Sequence, residues 1–461
     1  MKAAPPLAAA LMLTACIGPR PQTPATSAVV PPPAWRTALG PGSPIAADWW
    51  QAFGDPQLTA LVTRALADNP DLGSAAARVE EARAQERLAR AQLSPNVTAG
   101  LPLSEGRSVT AFGTGLDQFG AQPLVQASYD FDLFGRLRSA RAAARAQLLA
   151  TEAARDTVRL ALAAGVASGY VSLRALDHRL HIAEKTLDAR TEALRIARRR
   201  ATTGYTSNLE LRQAESEFRS TQQLVAAARL AVTRQENALS VLVGGTPGPI
   251  PRGLAIDRLV RPAIPDGLPA DLLRRRPDLF QAEQALVAAD RSLDSARAAM
   301  LPSLGLTGTA GVVLSSALAD PVTIFSIGGS VLAPIFDAGR LRAQADASAA
   351  RRDQAAFAYR RTALTAFREV DDNLASVRRS GEQAAALAGQ RAALADALRI
   401  ASNRYRAGYS SYLEQLDAQR GLLNAELALA EAQASQLTAY ITLYQAMGGG
   451  WSDAAIRATR Q

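Results

Sequence analysis

Cysteine is nearly absent from these 461 residues: Cys16 stands alone, so no disulfide can form within the chain. Histidine occurs only as His178 and His181, three apart, with no cysteine or acidic cluster beside them. The pair reads as exposed polar positions on a helix, and no metal or other cofactor is expected. Four methionines give little support for a soft-metal relay. There is no P-loop, no Gly-x-Gly-x-x-Gly and no catalytic constellation, so an enzyme is not expected. Of 51 basic residues only Lys2 and Lys185 are lysines. Such arginine use fits a GC-rich genome better than a nucleic-acid footprint. The charges alternate with Glu and Asp, and no aromatic-basic platform accompanies them, so no nucleic-acid partner is expected.

Proline is missing between Pro123 and Pro247 and again after Pro334. Those stretches carry Ala, Leu, Arg, Glu and Gln, the strong helix formers. A helix over 136–203 would be ~100 Å long, one over 207–243 ~55 Å, and one over 70–93 ~36 Å. The spacing predicts the same three pieces again over 277–300, 340–407 and 410–447. Leu173, Leu180, Leu187 and Leu194 sit seven apart, as do Leu211, Phe218, Val225, Val232 and Leu239. Leu416, Leu423, Ala430, Leu437 and Tyr444 repeat the pattern. A sustained seven-residue period specifies long helices packed side by side as coiled coil. Gly165 and Gly169, four apart in an Ala-rich helix, fit close helix packing, not a membrane-helix dimer.

The chain states its pattern twice. Asn69-Pro70-Asp71-Leu72 returns as Arg276-Pro277-Asp278-Leu279, and Pro95 as Pro302, both 207 positions on. Gly135-Arg136-Leu137-Arg138 returns as Gly339-Arg340-Leu341-Arg342, now 204 on. Gly204-Tyr205 returns as Gly408-Tyr409, Leu209-Glu210 as Leu413-Glu414, and Gly244-Gly245 as Gly448-Gly449 at the same spacing. This is a tandem duplication with one loop shortened.

Between the short and long helix of each copy, apolar and polar residues alternate. Val97, Ala99, Leu101 and Leu103 do so, and after a Gly-rich loop Val125, Ala127, Tyr129 and Phe131. The second copy has Leu304 and Leu306, then Phe325, Ile327 and Val331. A period of two predicts strands over 95–103, 122–132, 302–311 and 324–334. Each has about the ten residues that a tilted membrane strand needs. Tyr129, Phe131, Leu304, Leu306, Phe325 and Ile327 would face lipid, and Ser128 and Thr307 a water-filled lumen. Four strands cannot close a barrel, and open edges are not tolerated in lipid, so two, three or four chains would have to share one.

Met1-Lys2 opens a short apolar stretch ending in Leu13-Thr14-Ala15-Cys16. Too short to span, it reads as a signal peptide over 1–15 whose lipobox directs acylation, including palmitate, to Cys16. Ile17 after the cysteine resembles lipoproteins sent on to the outer membrane. Residues 16–47, rich in Pro, Thr, Ser and Ala, read as an extended tether. The remaining segments are a first repeat over 48–247, an inter-repeat segment over 248–275, a second repeat over 276–447 and a tail over 448–461.

A lipobox, a Pro-rich tail, Trp49-Trp50-Gln51-Ala52-Phe53-Gly54-Asp55-Pro56-Gln57-Leu58, Asn69-Pro70-Asp71-Leu72 and a duplicated helix–hairpin–helix–helix unit together resemble the TolC-like outer-membrane efflux channels, in their NodT or OprM-like lipoprotein branch. The resemblance runs from Cys16 to about Gly450. It implies a mixed α and membrane β fold: a homotrimer with a twelve-stranded β-barrel in the outer membrane on an α-helical barrel in the periplasm. A belt around the helical barrel would include 245–275 and the C-terminal end. The function implied is the passive exit duct of a tripartite efflux system. Its partners would be a periplasmic adaptor and an inner-membrane pump, usually of the resistance-nodulation-division type. An outlet for peptide or protein secretion is the alternative within this class. A pore-less periplasmic coiled-coil lipoprotein is the alternative outside it, and it leaves the paired hairpins unexplained.

In that family the turns between long and shorter helices form the periplasmic tip, where the channel closes and the adaptor docks. The resemblance puts Gly204, Tyr205, Gly408 and Tyr409 in those docking turns. It puts Glu414 and Asp417 among acids ringing the aperture. Glu210 and Tyr405 stand where the family has a hydrogen bond that holds the tip shut, and Ser410 where it has a gating arginine.

Overall fold

The computed structural model describes residues 18–37, 45–109, 112–113, 115–316 and 318–452. Cys16 and the signal segment lie outside them, as does most of the C-terminal tail. In the first repeat, α1 (Pro56–Asp68) and α2 (Pro70–Ala91) precede β1 (Asn96–Gly100), β2 (Leu103–Val109), β3 (Gly115–Ala121) and β4 (Leu124–Phe131). Then come the long α3 (Arg136–Thr202) and α4 (Asn208–Leu242). After the inter-repeat helix α5 (Pro269–Arg275), the second repeat has α6 (Pro277–Ala298), β5 (Ser303–Ser315), β6 (Val322–Leu332), α7 (Arg340–Arg406) and α8 (Tyr412–Ala446). The paired helices match residue for residue in length: 22 for α2 and α6, 67 for α3 and α7, 35 for α4 and α8.

The compact units do not follow the repeats; each draws on both. One comprises 77–153 and 280–362 with the N-terminal segment to Val29, and it holds the sheet. The other comprises 30–76, 154–279 and the chain from Ala363 onward.

In the sheet-bearing unit, all ladders are antiparallel, in the order β1-β4-β5-β6, with β2 extending β1 and β3 extending β4. The first hairpin differs from the expectation. Its arms do not stop at 103 and start at 122; they continue as β2 and β3 into the Gly-rich stretch expected to be a loop. Pro102 and Pro123 lack the N–H that a ladder needs, so each arm is interrupted there. The pairing resumes in the same register, Gly100 opposite Leu124 and Leu103 opposite Ala121. Opposite the break, a Cβ on Gly311 would stand 2.4 Å from the Pro123 carbonyl oxygen, so only glycine fits.

The register settles which residues share a face. Tyr129 pairs with Leu306, Phe131 with Leu304, Ala310 with Phe325 and Gly308 with Ile327. The six residues expected on one face are therefore together on it, with the Tyr129 and Phe131 rings edge to face at 4.9 Å. Ser128 pairs with Thr307 on the other face. There Thr309 and Ser326 share a hydrogen bond of 2.7 Å. Among the described residues, β1 pairs only with β4 and β6 only with β5.

The N-terminal segment is extended, as expected, but it is not a loose tether. Arg297 donates to the carbonyls of Gly18 (2.8 Å) and Pro19 (3.2 Å). Arg20 pairs with Asp290 (2.7 Å) and Asp294 (2.9 Å). Arg352, 1% exposed, donates to the carbonyl of Gln22 at 2.9 Å and to that of Pro21.

In the second unit, the sequence Trp49 to Leu58 becomes a short 3-10 turn that buries Trp49, Trp50 and Phe53, followed by α1. Asp55 caps α1 through the N–H groups of Gln57 (2.8 Å) and Leu58 (3.4 Å). It also accepts from the Tyr170 hydroxyl at 2.8 Å and the Leu254 N–H at 2.9 Å. Burial, and then this bond, push the Tyr170 phenol up to about 12, so it remains a donor.

The same unit shows why two motifs recur. Asn69 donates to the Leu242 carbonyl at 2.9 Å, closing the end of α4. Arg276, at the matching place, donates to the Ala446 carbonyl at 3.0 Å, closing the end of α8. Just beyond those ends, Gly244 (φ 85°) and Gly448 (φ 94°) take the left-handed conformation that glycine allows. A Cβ there would lie 2.4 Å from the Asp68 oxygen or 1.8 Å from the Arg275 oxygen.

Candidate functional site at the helix turns

Both turns joining a long helix to a shorter one lie in the second unit. Each is closed by glycine: Gly204 at φ 73° and Gly408 at φ 79°, with nothing within 4 Å of either Cβ position. Here backbone conformation, not space, selects glycine. Beyond each glycine, a backbone N–H closes on the last helical turn: Tyr205 to Arg200 O (2.8 Å) and Tyr409 to Arg404 O (2.9 Å). Ser207 then starts α4 as its N-cap. Tight turns leave their side chains outside: Tyr205 is 79% and Tyr409 80% exposed, and Leu209 and Leu413 are exposed too.

Glu210 and Tyr405 meet. The Tyr405 hydroxyl donates to the Glu210 carboxylate and accepts from Arg200 Nη1 at 2.9 Å. The Arg200 guanidinium also lies over the Tyr405 ring, 5.1 Å from its centre. Burial, then the Glu210 bond, push the phenol up to about 12. Beneath it Leu194, Ala197, Ala214, Tyr412 and Leu416 form a small apolar cluster. Arg200 was not anticipated. The signal for it is the 204-residue spacing, which relates Arg200 to Arg404 as it relates Glu210 to Glu414.

Glu414 and Asp417 are both exposed, but they differ. Arg404 approaches Glu414 at 3.6 Å, with both side chains about half exposed. Asp417 has no ion pair within 4 Å among the described residues. Farther along the helices, Arg190, 3% exposed, pairs with Glu217 at 3.2 Å and bonds Gln419. Arg420 donates to the same Glu217 at 2.9 Å. Burial holds the Arg190 guanidinium below its usual range although Glu217 opposes the shift. Ser410, where the resemblance led one to expect a gating arginine, supplies no charge. Of the histidines, His181 is exposed but His178 is half-buried, and burial lowers its imidazole. Among the described residues no group of three His, Cys, Asp or Glu could hold a metal ion, and no helix is long and apolar enough to cross a membrane.

A duplicated unit with four hairpin arms, 67-residue helices and glycine-closed turns defines a channel protomer. The chain belongs to the outer membrane efflux protein family, whose model matches residues 61–245 and 268–449, one segment per repeat. It is 36% identical over 425 residues to the probable efflux pump outer membrane protein TtgC of Pseudomonas putida, covering 90% of this chain and 87% of that one. It is 34% identical over 465 residues to the cation efflux system protein CusC of Escherichia coli, covering 97% and 98%. A crystal structure of CusC superposes with TM-score 0.82 at 32% identity, over 93% of this chain and 99% of the other. The open state of the MtrE outer membrane channel of Neisseria gonorrhoeae gives 0.83 at 30%, over 94% and 98%. The chain is thus an outer-membrane efflux channel and not an enzyme.

Proposed function

We propose that three copies of this chain form the passive exit duct of a tripartite efflux system. The observation that carries the reading is the sheet: one apolar face and two edges, β1 and β6, each with a single neighbour. A sheet in lipid has no open edge, so β1 of one copy must pair with β6 of the next until the ring closes. Three copies of four arms make twelve strands. The apolar face from Ala121 to Phe131 extends ~33 Å along the strand. Tilted by about 45°, it covers ~23 Å, close to the apolar band of a membrane barrel. Past it the same face carries Glu105 opposite Phe119, then Arg107 and Asp117, 3.5 Å apart.

The exposed turns of Gly204-Tyr205 and Gly408-Tyr409 dock a periplasmic adaptor, which links the duct to an inner-membrane pump of the resistance-nodulation-division type. The Arg200–Tyr405–Glu210 chain holds the tip shut, and Glu414 with Asp417 lines the aperture. Acylation of Cys16 adds a lipid anchor to the barrel. One relative's name specifies toluene and another's cations, so substrate choice belongs to the pump.

Planar-bilayer recording on purified protein tests the duct. It should yield discrete conductance from a trimer that migrates more slowly before heating than the monomer released by heating. A monomer with no heat-dependent migration and no conductance would sink the proposal. Mass spectrometry should find a mature chain beginning at an acylated Cys16.

A further inference from the structure

The cluster of Arg190, Glu217 and Arg420 takes no part in the Tyr405–Glu210 contact. It joins three helices: α3 supplies Arg190, α4 supplies Glu217, and α8 supplies Gln419 and Arg420. One carboxylate serves two guanidiniums. Oε2 of Glu217 stands 3.2 Å from Arg190, and Oε1 accepts from Arg420 Nε at 2.9 Å and from its Nη2. The Arg190 and Glu217 side chains are 3% and 12% exposed, whereas that of Arg420 is 55% exposed. Arg420 is thus a cation held at the edge of a buried pair. Among the described residues, Glu217 is the one side chain to which it bonds.

A second carboxylate competes for that cation. Asp417 precedes Arg420 by three residues, so both project from one face of α8 with Cβ atoms about 5–6 Å apart. Yet Arg420 turns away from Asp417 to Glu217. An ion pair with an exposed Asp417 would be worth little in water. Glu217 offers a charge-assisted acceptor in a largely buried setting, where such a bond is stronger. Both flanks of α8 are taken by its own chain: α3 and α4 at Gln419 and Arg420, and α7 through Ser402 to Gln415 and Arg391 to Glu426, each at 3.2 Å. The arc of α8 that carries Asp417 is therefore not a seam with a neighbouring copy.

We propose that Glu217 is a positioning residue for ion selection: by holding Arg420 it keeps a cation off Asp417 and leaves the aperture acids their charge. The inference rests on the reading that Glu414 and Asp417 line the aperture. Glu217 itself touches no permeating ion; it acts through Arg420.

The test is the reversal potential of the full-length trimer in planar bilayers under a potassium chloride gradient, run as a double-mutant cycle. Glu217→Gln should lower the ratio of potassium to chloride permeability by roughly threefold, the effect of one unit charge about 6 Å away across water. Arg420→Gln should raise the ratio. In the Arg420→Gln background, Glu217→Gln should have a smaller effect, because no arginine remains to be released. A wild-type ratio in Glu217→Gln would overturn the proposal. So would equal effects in the two backgrounds, which would make Glu217 a plain charge and not a positioning residue. Should Glu217→Gln fail to form the trimer, the same cycle is run on Arg190→Gln, where no buried guanidinium is left without its carboxylate. Asp417→Ala separates this inference from the reading beneath it. A lowered ratio there with none in Glu217→Gln refutes the role of Glu217 alone. A wild-type ratio in Asp417→Ala refutes the aperture assignment as well.

Discussion

The two repeats have helices of identical length and glycines at identical places, yet they use different side chains to do the same jobs. Asn69 closes the end of α4 with an amide, whereas Arg276 closes the end of α8 with a guanidinium that also pairs with Asp278 and Glu369 at 2.7 Å each. At the turns, Arg200 reaches Glu210 through the Tyr405 hydroxyl, whereas Arg404 approaches Glu414 directly and in solvent. The first hairpin is broken by two prolines, whereas β5 and β6 run uninterrupted. Backbone geometry admits few solutions, so both copies keep it. Polar contacts admit many, so the copies diverge there, and the asymmetry supplies one half-buried contact and one exposed pair.

The largest effect should come from the glycines that close the helices. Gly448→Ala drives a Cβ into the Arg275 carbonyl, adding overpacking of about 1–3 kcal/mol to left-handed strain of about 1–2 kcal/mol. Gly204→Ala carries only the second cost, because its surroundings are open. Urea unfolding compares them, and equal losses would show that space at the helix ends is irrelevant. Next, Ile327→Arg at mid-band should cost ~2–4 kcal/mol of barrel stability, and Thr307→Arg on the polar face much less. Equal assembly defects, scored by heat-modifiable migration, would break the assignment of faces.

The latch comes third. Tyr405→Phe removes a bond to a charged group, about 1.5–3 kcal/mol, and should raise resting conductance. Arg404→Gln removes an exposed pair worth about 0–1 kcal/mol and should barely change it. The two variants behaving alike would mean that the tips of the repeats are equivalent. Because the Tyr405 phenol is raised from its ordinary 10.0 to about 12, its bond contributes fully below pH 10 and is lost as pH climbs from there toward 12. Conductance should therefore be flat through neutral pH and rise only above about 10, and that rise should be missing in Tyr405→Phe. Smallest is the selectivity of the aperture. Arg404 already offsets Glu414, so Asp417→Ala should reduce cation preference and divalent block more than Glu414→Ala. Equal reversal-potential shifts would contradict this ranking.

Periodicity and composition were sufficient for every element whose pattern is local. The long helices begin and end within a few residues of the expected 136–203 and 340–407, because heptads, proline-free runs and terminal glycines are written along the chain. The faces of the sheet followed from alternation alone, since a strand's side chains can point only two ways. β2 and β3 were missed because Ser104-Glu105-Gly106-Arg107 lacks apolar alternation; pairing with its own hairpin partner, not burial, makes it a strand. The clamps on the N-terminal segment were invisible for another reason. Arg297 and Arg352 look like ordinary solvated arginines until the fold brings carbonyls more than three hundred residues away in sequence from Arg352 within reach.

The sequence by itself determined the duplication, the helix lengths, the two faces of the strands and the positions where only glycine serves, because each depends on a residue and its near neighbours. Only the tertiary structure decided that Arg200 completes the Tyr405–Glu210 contact, that Arg404 stands within 4 Å of Glu414 whereas Asp417 has no ion pair that close among the described residues, and that Arg340 shares a cleft with Arg136. Those facts depend on distances between helices and strands far apart in the chain, and no local pattern encodes them.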